Sequence, residues 1–146
     1  MTRRQARERA FIALFEHSFG GDMEEIIACG RQEPAEYAVD EFGESLLRLY
    51  LAHRDEIDGA IEARLKGWKT ERLARVNLAL LRLAVAEMRY AEPDMDSVVI
   101  NEAVELAKKY ADEADYQFIN GLLGSLSRAG ADLPVPEAGE AEPSGI

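Results

Sequence analysis

The chain has 146 residues, a formal net charge of −11 and a single cysteine, Cys29. This length corresponds to one domain with a core of its own, and one cysteine excludes an intramolecular disulfide. The N-terminus is charged from Arg3 onward and no apolar run approaches the roughly 20 residues of a membrane helix, so we expect a cytoplasmic protein without membrane contact.

The first predicted helix covers residues 3–19 and is basic at its start, where Arg3, Arg4 and Arg7 lie close together; Gly20 ends it. A solvated basic helix start is one interpretation. Cations at the N-terminus of a helix are, however, unfavourable with the macrodipole. The three arginines therefore favour contact with an outside anion such as phosphate.

The next two predicted helices are rich in carboxylates. Met23 to Gly30 predicts a short helix capped by Asp22, and Pro34 fits the first turn of a third helix that runs to about His53. No His or Cys stands at ligand spacing from these acidic side chains. We expect a solvated face rather than a metal site.

The connection between the fourth and fifth helices contains the only tryptophan. The fourth helix is expected from Asp55 to Lys66, followed by Trp68, which is either a core anchor or a platform for a stacked base. Thr70 is the expected cap of the longest helix, residues 71–90, whose apolar side chains nearly encircle its axis. This pattern predicts the central, most buried helix.

A polar strip follows one side of this central helix. Arg75, Arg82 and Arg89 recur every seven residues, which places them on roughly the same side. Glu87 stands close to this strip along the sequence. We expect it to pair with one of these arginines.

The last two predicted helices meet at an acidic corner, residues 112–115. Ser97 is the expected N-cap of the sixth helix, and the seventh carries an apolar stripe. Gly121 and Gly124 interrupt that stripe, although each costs a helix interior about 1 kcal/mol relative to Ala. Their placement predicts close approach of another helix or of a ligand.

The charges and the Pro and Gly residues divide the chain. Residues 1–10 carry a net charge of +3 and residues 64–89 carry +5, whereas residues 20–62 carry −9. Such sorting permits a local anionic ligand on an acidic protein. Residues 130–146 are rich in Pro, Gly and acids, and predict a disordered tail after an all-α, single-domain bundle of about seven helices over residues 1–129.

Two separated motifs connect the sequence with a known family. Residues 101–110 read NEAVELAKKY and residues 118–123 read FINGLL, which resembles the C-terminal signature of the NusB family of transcription antitermination factors. RRQARE at residues 3–8 and LRLA at residues 81–84 extend the resemblance. It implies a seven-helix fold that binds boxA single-stranded RNA of ribosomal RNA transcripts together with ribosomal protein S10, within a transcription elongation complex.

The resemblance also implies which side chains carry these contacts. The predicted RNA-binding residues on the first and last helices are Arg3, Arg4, Arg7, Tyr116, Gln117, Phe118 and Asn120. The predicted contacts with the ribosomal protein are Arg82, Glu87 and Glu102. Phe118 also belongs to the apolar stripe, so a place in the core is its alternative. No catalytic residue, metal or cofactor is expected.

Two departures from the family pattern remove basic charge, and they suggest weak binding by the protein alone. Gln5 interrupts the arginine run, and Gln117 stands where similar proteins often have a basic residue. We expect replacement of Arg3, Arg4 and Arg7 by Ala to weaken RNA binding without lowering thermal stability. Three phosphate contacts to a single strand predict a slope of log affinity against log salt near roughly −2.

Two other functions are compatible with a helical domain of this kind. One is the N-terminal accessory module of an RNA cytosine methyltransferase, which is disfavoured because the chain is expected to end in a disordered tail rather than a catalytic domain. The other is a homodimerisation module. Sedimentation at several concentrations distinguishes the dimer, since only a stable dimer stays unchanged when RNA or the ribosomal protein is added.

Overall fold

The computed structural model describes residues 1–32, 38–65, 67 and 69–128, and within these ranges it contains helices and no strands. The seven helices are α1 (Arg3–His17), α2 (Met23–Gln32), α3 (Glu41–Ala52), α4 (Arg54–Glu62), α5 (Arg75–Tyr90), α6 (Asp96–Tyr110) and α7 (Glu113–Arg128). This confirms the predicted all-α fold. The predictions for Pro34, Trp68 and the tail fall outside the described residues.

Helix α5 is the centre of the bundle, as its sequence predicts. It packs against α1, α3, α4, α6 and α7. Its Leu81 and Val85 are fully buried, at 0% exposure, because neighbouring helices cover nearly every side of the axis. Only a narrow polar strip of α5 reaches solvent, with Arg75 and Arg89 exposed and Arg82 partly buried, so most of the molecular surface belongs to the helices around it.

Helix α3 begins later than predicted, at Glu41 rather than near Pro34. The Asp40 carboxylate accepts a hydrogen bond from the Gly43 backbone N–H at 2.7 Å and so caps the helix there. At Gly43 a Cβ atom would lie 3.2 Å from the Ala6 carbonyl oxygen, because α1 and α3 approach closely at this point. The close helix contact that glycine permits is therefore on α3.

The structure shows no close helix contact at Gly121 of α7, although the cost of glycine inside a helix predicts one. A Cβ atom at Gly121 would meet no heavy atom within 4 Å, so no other helix approaches the backbone there. The predicted close approach of a helix is therefore wrong at Gly121. Gly124 instead lines an open groove between α6 and α7.

Two predicted helix caps differ from those in the structure. Thr70 lies in a short 3-10 turn, Thr70–Arg72, where its backbone N–H donates to Glu62 Oε2 at 3.0 Å, and α5 begins only at Arg75. Helix α6 begins at Asp96, so Ser97 lies inside the first turn and does not cap it. At Thr70 the contact with Glu62, eight residues earlier, takes the place of a helix cap. Of the helices described, none has the length and apolar character needed to cross a bilayer.

Candidate nucleic-acid interface

The first turn of α1 is held by a capping box, which sets the positions of the arginines that follow. The Thr2 hydroxyl accepts a hydrogen bond from the Gln5 backbone N–H at 3.1 Å, and the Gln5 side chain accepts one from the Thr2 N–H at 2.9 Å. The Gln5 side chain thus satisfies one backbone donor at the helix start. Its interruption of the arginine run has a structural reason that the charge pattern alone did not reveal.

Arg7 is buried and ties α1 to α5. Its Nε donates to Glu87 Oε1 at 2.9 Å and its Nη2 donates to Glu87 Oε2 at 2.7 Å, with side-chain exposures of 9% for Arg7 and 6% for Glu87. The hydrogen bonds to Glu87 raise the pKa of Arg7 above its ordinary value. The expectation that Glu87 pairs with an arginine of its own helix is therefore wrong, and Arg7 has a structural partner.

Arg4 makes the same kind of contact at the surface. Its Nε and Nη2 donate to the two carboxylate oxygens of Glu102 on α6, at 3.0 and 2.9 Å. The Arg4 side chain is 64% exposed and that of Glu102 is 13% exposed. The hydrogen bonds from Arg4 lower the pKa of Glu102, so this carboxylate is ionised at neutral pH.

Arg3 differs from the other two arginines in having no carboxylate partner among the described residues. Its guanidinium carbon lies 3.9 Å from the centroid of the Phe42 ring on α3, within the range of a cation–π contact. The aromatic ring orients the guanidinium without neutralising its charge. Of the three predicted phosphate contacts, Arg3 is the one whose charge is not compensated locally.

Glu8 joins α1 to the end of α6. It accepts hydrogen bonds from Lys109 Nζ at 2.6 Å and from the Tyr110 hydroxyl. Burial by itself raises the pKa of Glu8, but the hydrogen bonds from Lys109 and Tyr110 outweigh it and lower this pKa below its ordinary value. The first turns of α1 are thus anchored to α6 through Glu8 as well as through Arg4.

We expect the contact of Glu8 with Lys109 and Tyr110 to make the stability of the fold sensitive to acid. A carboxylate whose pKa is lower in the folded than in the unfolded state stabilises the fold above the unfolded value, about 4.3 for Glu, and this stabilisation disappears as the pH falls through the folded pKa. Acidification from pH 5 to strongly acidic pH should therefore lower the free energy of unfolding less in Glu8→Gln than in wild type. Urea denaturation at each pH measures this difference. The exposed Glu92→Gln is the control, and an equal acid dependence in both variants would contradict the assignment.

An open groove of about 730 Å³ runs between α6 and α7. The residues that line it are Ser97, Ile100, Asn101, Val104, Tyr116, Gln117, Asn120 and Gly124. Apolar Ile100 and Val104 lie beside amide and hydroxyl groups that can donate and accept hydrogen bonds. A groove with an aromatic ring, an apolar surface and side-chain amides suits an unstacked base.

Three of the four predicted base contacts, Tyr116, Gln117 and Asn120, line this groove together. Lys108 places a cation beside this groove, with its Nζ 5.2 Å from the centroid of the Tyr116 ring. Sequence reasoning did not predict this contact. The fourth, Phe118, is 2% exposed and belongs to the core. The prediction that a base stacks on Phe118 does not fit this packing, because the apolar stripe of α7 turns its ring inward.

The residues predicted to contact the ribosomal protein are all engaged in internal ion pairs. Arg82 donates from Nε and Nη2 to the Asp58 carboxylate on α4 at 3.0 and 3.1 Å. Glu87 and Glu102 hold the two arginines of α1. The Arg82 side chain is 16% exposed, so an incoming protein reaches only part of it. Their role in binding a partner stays a prediction.

One region of sequence similarity covers α1 from Arg4 onward, the central α5 and the groove between α6 and α7. The NusB family profile matches residues 4–128, which is nearly all of the described chain. The chain belongs to the NusB family. NusB membership accounts for both the fold and the motifs at residues 101–110 and 118–123.

Relatives in this family match this chain over almost their whole length. A protein of Bacillus mycoides (strain KBAB4), named transcription antitermination protein NusB, is 42% identical over 126 residues, or 86% of this chain and 97% of that protein. A Bacillus cereus (strain B4264) protein of the same name is 41% identical over the same shares. The match therefore spans nearly the whole of each relative.

Solved NusB structures share the fold. NusB from T. maritima has a TM-score of 0.76 at 29% identity and covers 96% of this chain and 98% of its own. A crystal structure titled as the antitermination factors NusB and NusE in complex with dsRNA has a TM-score of 0.72 at 30% identity, covering 87% of this chain and 96% of that one. The second structure joins a NusB-like fold, a protein partner and RNA in one assembly.

Proposed function

We propose that this chain is a transcription antitermination factor that binds boxA RNA of ribosomal RNA transcripts together with ribosomal protein S10. The observation that carries this proposal is the match to antitermination proteins of the NusB family over 97% of their length. The protein acts in the cytoplasm, without catalysis and without a cofactor. Its role is to hold RNA and a protein partner within the transcription elongation complex.

The groove between α6 and α7 is the proposed site for bases. Single-stranded RNA is recognised through splayed bases that stack on aromatic rings and form hydrogen bonds along their edges. Tyr116 supplies the ring, while Gln117 and Asn120 supply amides that can both donate and accept. Lys108 contributes a cation beside the ring. The groove thus provides the chemistry for sequence-dependent contacts.

The start of α1 is the proposed site for phosphates. Arg3 carries an uncompensated charge oriented by Phe42, and Arg4 is exposed although it is paired with Glu102. Arg7 is excluded from this role because its guanidinium is buried against Glu87. At about −0.7 for each contact to a single strand, Arg3 and a fully available Arg4 together give a salt slope of at most about −1.4, rather than the −2 expected from three arginines. Because Glu102 pairs with Arg4, we expect the wild-type contribution of α1 to be shallower than this.

The groove between α6 and α7 suits single-stranded RNA better than a duplex. The solved complex of NusB and NusE contains double-stranded RNA. In a duplex the base edges are paired and the rings are stacked, so the contacts that Tyr116 and Asn120 offer are not available to it. We therefore propose a preference for a single strand.

The protein partner in that complex is NusE, which is ribosomal protein S10. Arg82 and Glu102 are the side chains of α5 and α6 proposed to face it, whereas the Glu87 side chain, at 6% exposure, is too buried for direct contact. Because each already holds an ion pair within the fold, S10 would contact their exposed edges and the surface around them. A partner that binds next to the α1 arginines also adds RNA contacts of its own, which compensates for the basic charge that Gln5 and Gln117 lack.

The test is fluorescence anisotropy with labelled single-stranded boxA RNA, a scrambled strand of equal length and a boxA duplex. Each is titrated with and without S10 across a salt series. We expect tighter binding to single-stranded boxA than to the other two RNAs, and a preference that increases with S10. Equal binding to boxA and scrambled strands in the presence of S10 would refute the proposed function.

A further inference from the structure

Two of the predicted RNA contacts form ion pairs with two of the predicted protein contacts. Arg4 and Arg7 were expected to bind phosphate, and Glu102 and Glu87 were expected to bind protein. In the structure Glu102 holds Arg4 and Glu87 holds Arg7, each through both carboxylate oxygens. The carboxylates therefore determine how much of the arginine charge is available to RNA.

The two ion pairs differ in their accessibility. Arg7 and Glu87 are both buried, so RNA cannot reach that guanidinium without opening the contact between α1 and α5. Arg4 is 64% exposed, and its Nη1 has no partner among the described residues, whereas Glu102 lies mostly beneath it at 13% exposure. RNA can thus approach Arg4 from outside while the carboxylate neutralises it from inside.

The geometry of the Glu102 contact is the one by which arginine binds phosphate. Two parallel N–H groups, on Nε and Nη2, meet two oxygens of one anion at 3.0 and 2.9 Å. A phosphate that takes this edge must displace the carboxylate. A phosphate that takes the outer edge binds a guanidinium whose positive charge is already balanced.

We propose that Glu102 is an internal competitor for phosphate at Arg4 and limits the RNA affinity of the protein when it acts alone. This inference rests on the proposed function and assigns a regulatory residue to its phosphate site. Binding then depends on contacts that do not involve Arg4, namely bases in the groove and the surface supplied by S10. Glu102 thus keeps the isolated protein from binding RNA through backbone charge alone.

The test is the salt dependence of RNA binding by Glu102→Gln. Glutamine keeps the shape and one acceptor for Arg4 but removes the charge. We expect tighter binding to both boxA and scrambled single strands, with a slope steeper than that of wild type by about 0.7, the value for one additional phosphate contact. This difference corresponds to about fivefold more affinity lost for each tenfold rise in salt.

Two controls accompany it. Glu24→Gln removes the same charge from another exposed ion pair, in which Arg48 Nη1 lies 2.7 Å from Glu24, on α2 and α3. This variant should keep the wild-type slope. Arg4→Gln combined with Glu102→Gln should lose the gain, because the released charge is gone. Circular dichroism of each variant confirms that it is folded.

The outcomes separate the two levels of the proposal. If wild type binds boxA and Glu102→Gln binds no more tightly than Glu24→Gln, the competitor role is refuted and the proposed function stands. Weaker binding by Glu102→Gln would show that Glu102 positions Arg4 for phosphate, which also refutes it. If neither wild type nor Glu102→Gln binds boxA, with or without S10, both proposals fail.

Discussion

Replacement of Arg7 by Met is expected to lower the free energy of unfolding by about 3 to 5 kcal/mol, because Glu87 then remains buried without its partner. For a chain of this length the melting temperature should fall by roughly 10 to 15 °C. Thermal and urea unfolding followed by circular dichroism measure this directly. Such a loss would contradict the expectation, drawn from the sequence, that the three arginines of α1 can be replaced without a change in thermal stability.

Two further variants separate the ion pair from the helix surface. Arg7→Met combined with Glu87→Leu should recover most of the stability, since replacing both members of a buried pair by apolar residues is often neutral or stabilising. Arg3→Met, one turn earlier on α1, should leave the unfolding free energy nearly unchanged. Equal stabilities of Arg7→Met and Arg3→Met would show that the buried contact does not stabilise the fold.

Replacement of Tyr116 by Leu is expected to reduce boxA affinity by about tenfold to a hundredfold. A base stacked on an aromatic ring contributes about 1 to 3 kcal/mol, and leucine keeps the apolar packing at the edge of the core while removing the ring. The slope of log affinity against log salt should not change, because no charge is altered. Anisotropy with single-stranded boxA at several salt concentrations measures both quantities.

The matched control is Tyr90→Leu. Tyr90 is also partly buried and stacks on His53, with ring centroids 3.7 Å apart, at a place that does not line the groove. We expect wild-type RNA affinity for this variant. If Tyr116→Leu binds boxA as tightly as Tyr90→Leu does, the groove is not the base site, and the family resemblance would have to be expressed through another surface.

Features that depend on neighbouring residues were predictable. Apolar spacing located α1, α5, α6 and α7 to within a few residues, since a helix repeats every 3.6 residues and one face must be buried. The near-continuous apolar surface of α5 identified the centre of the bundle. The placement of Tyr116, Gln117 and Asn120 along one groove also follows from their spacing on a single helix.

Features that join distant segments were not predictable in the same way. Arg7 meets Glu87 across 80 positions of sequence and Arg4 meets Glu102 across 98. Phe42 orients Arg3 because α1 and α3 pass closely at Gly43, where a Cβ atom would lie 3.2 Å from the Ala6 carbonyl oxygen. No spacing rule within one helix carries this information.

The sequence by itself determined the helical fold, the central helix and the family, because helical periodicity and local motifs depend only on residues a few positions apart. Only the tertiary structure decided which arginines are exposed and which are paired. Exposure and charge compensation depend on the angle and distance at which α1 packs against α5 and α6, and those are set by the fit of the whole core. Three arginines that look alike along the chain thus differ in role: Arg3 uncompensated, Arg4 exposed but paired, and Arg7 buried.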